Sequence, residues 1–88
     1  MELQVTIEVW KSRSWYVARI PELDFVSQGN DPEEAKRNVQ EVARMQLDEM
    51  RNMGTLRDYL EECGFTFQDN VVVPQTEMIS CEKSLVTV

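Results

Sequence analysis

The chain has 88 residues, with 16 acidic side chains against 9 basic ones, a net charge of −7 and no histidine. That length supports one domain, residues 1–88, and hides roughly 60–65% of the unfolded surface, which leaves little interior for a deep substrate pocket. The acidic balance repels polyanions over most of the surface, and the lack of histidine removes the commonest general base and metal ligand.

Glu2 to Trp10 alternates strictly. Leu3, Val5, Ile7 and Val9 point one way, and Gln4, Thr6, Glu8 and Trp10 the other, as in a strand with one buried face. Lys11 to Ser14 is a polar turn, and Trp15 to Ile20, rich in β-formers, completes a hairpin. Pro21 ends the second strand because proline donates no ladder hydrogen bond. Phe25 to Gln28 is a third short strand, closed by Gly29. A helix follows over Pro32 to Met53. Asn30 or Asp31 caps it, Pro32 takes its first position, and Glu33 and Glu34 complement its dipole. Ala35, Val39, Val42, Ala43, Leu47, Met50 and Met53 form its apolar face, which Gln46 interrupts, while Met45 lies on the polar side. Gly54 ends the helix.

Thr55 opens a second short helix, with Asp58 three residues on as an imperfect capping box. Leu56, Tyr59, Leu60 and Cys63 line its apolar side, and Gly64 stops it. Phe65 to Phe67 is extended, Asp69-Asn70 is a turn, Val71 to Val73 is extended again, and Pro74 breaks it. Leu85 to Val88 is strand-like, suited to pairing with the sheet or with another chain. The order β-β-β-α-(α)-β predicts an α+β fold. A three-stranded antiparallel sheet carries a long helix and a short one on one face, with a returning C-terminal strand; the other face is left for solvent or a partner.

Little of this points to catalysis. Glu33/Glu34 sit in a first helical turn, where acids serve the dipole. Asp48/Glu49 and Glu61/Glu62 read as solvated helix face, so no carboxylate pair is expected to act as acid and base. Cys63 and Cys81 lack ligand spacing and read as free thiols of a reducing cytoplasm. No metal or cofactor is expected. No stretch approaches the length of a membrane span, and the N-terminus lacks the apolar run of a signal peptide. The aromatics offer more. Trp10 and Trp15 face each other across the hairpin turn, where they either cap the core at the sheet edge or anchor an interface.

Tyr16-Val17-Ala18-Arg19-Ile20-Pro21-Glu22-Leu23 resembles the Y-V-A-x-x-P-E-L signature of HicB-type antitoxins. Val26-Ser27-Gln28-Gly29-Asn30-Asp31-Pro32-Glu33-Glu34-Ala35 is similar to that family's V-S-Q-G-D-T-x-E-E-A block. The two blocks stand in family order, closer together than in members that insert a Pro-Gly between them. The resemblance implies a partial RNase H-like fold without nuclease carboxylates, and a non-catalytic protein that masks a small basic mRNA-cleaving toxin of the HicA type. Family members often add a DNA-binding segment. Residues 65–88 carry one basic side chain, Lys83, so direct DNA binding is not expected here. The candidate partner contacts are Trp10, Trp15, Glu22 and Asp24, with Leu85, Val86 and Val88 as a strand offered to the partner. A homodimer is the expected assembly. The alternative is a solitary HicB-like regulator that binds nucleic acid as a dimer.

Overall fold

The computed structural model covers residues 1–88 and is α+β. Three antiparallel strands, β2 (Glu8–Ser12), β3 (Trp15–Ile20) and β4 (Phe25–Gly29), form one sheet in the order β2-β3-β4. The hairpin between β2 and β3 closes on Ser12 and Trp15, with Arg13 and Ser14 as a two-residue loop. Arg13 takes a positive φ of 54°, as primed hairpin turns require.

The long strand expected over residues 2–10 is broken. Its start, β1 (Glu2–Leu3), belongs to a second sheet, where it runs parallel to β6 (Val71–Pro74). β6 in turn pairs antiparallel with β5 (Phe65–Gln68). Between the sheets the Gln4 N–H still reaches the Val72 carbonyl at 2.8 Å. The Thr6 N–H turns instead to the Glu22 carboxylate, 3.0 and 3.1 Å from its two oxygens. A side chain from the β3–β4 loop thus takes the place of a strand partner. Leu3, Val5, Ile7 and Val9 nevertheless all pack against the core, so the alternation survives the break. The returning strand is β6, and it joins β1 and β5 in the second sheet instead of the β2-β3-β4 sheet. Leu85 to Val88 form no strand and are fully exposed, which corrects the expectation for that segment.

Helix α1 spans Pro32–Met53. The Asp31 carboxylate accepts from the Glu34 N–H at 2.8 Å, and Glu34 answers by accepting from the Asn30 N–H at 3.1 Å. At the other end Gly54, with φ 78°, and Thr55 return their N–H groups to the Arg51 and Met50 carbonyls. Helix α2 (Leu56–Glu62) starts without a side-chain cap: the Thr55 hydroxyl points back to the Met50 carbonyl, and the expected capping box is absent.

α1 packs across β4, β3 and β2. Ala18, Ile20, Leu23, Ala35, Val39, Leu56, Leu60, Phe65 and Val72 form one buried core. Ala18 has no more than a methyl group and lets α1 approach the sheet. Gln46 is exposed and leaves no buried amide to satisfy, whereas Met53, expected on the core face, is 68% exposed beyond the last packed turn.

Candidate functional site

Cross-strand register assigns every residue of β2-β3-β4 to a face. Val9, Ala18 and Ser27 stand in one row, Lys11, Tyr16 and Gly29 in the next, and this side lies under α1. The opposite rows are Glu8, Arg19 and Val26, then Trp10, Val17 and Gln28, then Ser12 and Trp15. No element covers that second side. Trp10, Trp15 and Val26 are 47%, 42% and 53% exposed there.

Trp10 opposes Val17, and Trp15 opposes Ser12, so the two indoles are diagonal neighbours on the open face, roughly 7–8 Å apart at the backbone. They do not cap the core. Val26 lies on the same open face, opposite Arg19, and escaped the sequence reading. Its signal was the alternation with Phe25, which faces α1. Arg19 and Glu8 edge the patch. The Arg19 guanidinium is given to Asp24 at 3.1 Å and not to Glu8 directly across the strands. Glu8 Oε1 is screened from solvent and has no hydrogen-bond partner.

The other candidate residues lie apart from the tryptophans. Glu22 and Asp24 sit in the loop beyond Ile20, about 17 Å from Trp15 along β3. The Glu22 carboxylate is occupied by Thr6, which makes it a structural staple. Asp24 is exposed and holds only Arg19. Its φ of 57° is one that Asp tolerates better than most residues. Leu85, Val86 and Val88 project into solvent.

The concavities are shallow. The best formed, about 380 Å³, lies at the strand break between Gln4–Thr6, Glu22, Val73, Pro74 and Thr76–Met78. Tyr59 donates its hydroxyl to the Leu23 carbonyl at 3.3 Å. Burial, a hydrogen bond with Cys63 and the nearby negative charges of Cys63 and Asp24 push its pKa up to about 12. That hydroxyl stays a protonated donor, tying α2 to the β3–β4 loop. No three Cys, Asp or Glu side chains converge on one point. No helix is long and apolar enough to cross a membrane. The chain matches no family model, no curated protein and no solved structure.

Proposed function

We propose that this chain is a non-catalytic, HicB-like antitoxin that binds and neutralises a small basic HicA-type mRNA-cleaving toxin. The observation that carries the reading is the open face of the β2-β3-β4 sheet, where Trp10, Trp15 and Val26 all stand exposed. Exposed indoles on a rigid strand scaffold are typical anchors of protein interfaces and lose little entropy when covered. The net charge of −7 favours encounter with a basic partner. The Tyr16–Leu23 and Val26–Ala35 blocks suggest the partner class, and three antiparallel strands followed by a long helix are compatible with them.

The test is binding of a small basic HicA-type protein, measured by calorimetry at increasing salt. Submicromolar affinity is expected, weakening as salt rises. Trp15→Ala and Val26→Asp should each reduce it about 30-fold or more, the loss typical of an interface hot spot. Absence of binding to HicA-type toxins at low salt would remove this reading.

A further inference from the structure

We propose that the outer edge of β2 pairs with the same edge of a second copy. The pairing is antiparallel about a two-fold axis at Trp10 and joins two three-stranded sheets into one of six strands.

The four sheet edges differ, and β1, with two residues, is the shortest. β4 is blunted, because Asn38 on α1 reaches down and donates to the outward carbonyl of Gln28 at 2.8 Å. β5 has only four residues. β2 has five residues, ends its sheet, and forms no hydrogen bond to anything beyond β3. The two-residue loop closes on the Ser12–Trp15 pair. By alternation Ser12, Trp10 and Glu8 therefore direct their main-chain groups to β3, while Val9 and Lys11 turn theirs outward.

A second copy fits this edge in one register best. Faces are preserved only when paired residue numbers have the same parity. Centring on Trp10 uses all five residues of both strands. Val9 then exchanges both main-chain hydrogen bonds with the other copy's Lys11, and Trp10 meets its own counterpart as a close, non-hydrogen-bonded pair. Glu8 falls opposite the other copy's Ser12, a small polar residue that brings no like charge. Centring on Glu8 or on Lys11 would instead oppose like charges. In the chosen register four indoles form one continuous patch on the open face. Both α1 helices lie on the far side, so edge pairing leaves the proposed partner face free. The pairing does not depend on the identity of that partner.

Sedimentation equilibrium of the purified chain across salt concentrations tests the pairing. A dimer is expected, tightening as salt screens the repulsion between two chains of charge −7. Trp10→Glu sets two carboxylates face to face and should shift the equilibrium to monomer, with circular dichroism unchanged. In the unmutated protein, the Val9 and Lys11 amides should exchange slowly at high concentration and quickly on dilution. A chain that stays monomeric at high salt and high concentration overturns the proposal. So does a dimer that survives Trp10→Glu with fast-exchanging Val9 and Lys11 amides.

Discussion

A Cβ placed on Gly29 would stand 2.6 Å from the Ala35 main-chain nitrogen and 2.9 Å from Glu34 Cβ. The end of β4 is pressed against the first turn of α1, and hydrogen is the only side chain that fits. Gly29→Ala must push the helix off the sheet, at a cost of about 1–3 kcal/mol typical of overpacking. Urea denaturation should show a lower midpoint, and an unchanged midpoint would mean the approach relaxes freely. Tyr59 has a consequence at high pH. Its folded-state pKa of about 12 lies above the ordinary 10.0. The protonated phenol is favoured by folding, so this contribution is complete below pH 10 and fades as pH rises from 10 towards 12. Phenolate absorbance should reveal a step near pH 12, and Tyr59→Phe should abolish that step while flattening the alkaline loss of stability. A Tyr59→Phe protein that keeps the late step would assign it to another group.

At the scale of elements, what could be read ahead of the structure depended on how local the cause was. The bounds of α1 were legible because Asp31, Pro32, Glu33, Glu34 and Gly54 act within one turn of the helix ends. Asp31→Ala should accordingly cost about 1 kcal/mol, read as a drop in thermal midpoint with helical ellipticity retained. The break between β1 and β2 was not legible, because the apolar alternation runs unbroken through Val5 and Ile7. At the break the Thr6 N–H finds Glu22, sixteen residues away in sequence. Glu22→Ala leaves the part-buried Thr6 N–H without an acceptor, which costs about 1–3 kcal/mol. The Thr6 amide should then exchange faster while the Val9 and Ala18 environments hold; an equally slow Thr6 amide would show that another acceptor suffices. The candidate site follows the same division. Trp10 and Trp15 share the open face because period-2 alternation is local, whereas Glu22 and Asp24 were chosen for their charge, which says nothing about distance in space. Thr55 failed as a cap because its hydroxyl found the Met50 carbonyl of the preceding helix, a choice that propensity does not encode.

The whole molecule is more extended than its length requires. Its radius of gyration is 15.0 Å, against about 12 Å for a compact domain of this size. Residues beyond Pro74 belong to no element. Gln75 donates to the Gly64 carbonyl at 2.8 Å, and Met78 lines the groove at the strand break. From Ile79 onward the apolar side chains stand in solvent, with Ile79, Leu85, Val86 and Val88 each at least 79% exposed. Side chains that lose no water on folding contribute no hydrophobic stabilisation. Removing residues 79–88 should therefore leave the thermal midpoint where it was. Leu85, Val86 and Val88 keep the β-propensity of a strand without having one, and a strand that lacks an internal partner is the form in which β-addition to another protein works. The same truncation should then weaken binding to the proposed basic toxin while the tryptophan face stays folded. Calorimetric binding and thermal unfolding on this one variant separate the possibilities. Lost affinity at constant midpoint assigns the tail to the partner. Unchanged affinity confines recognition to the open face. A midpoint lowered by several degrees would mean that the tail packs on the fold after all.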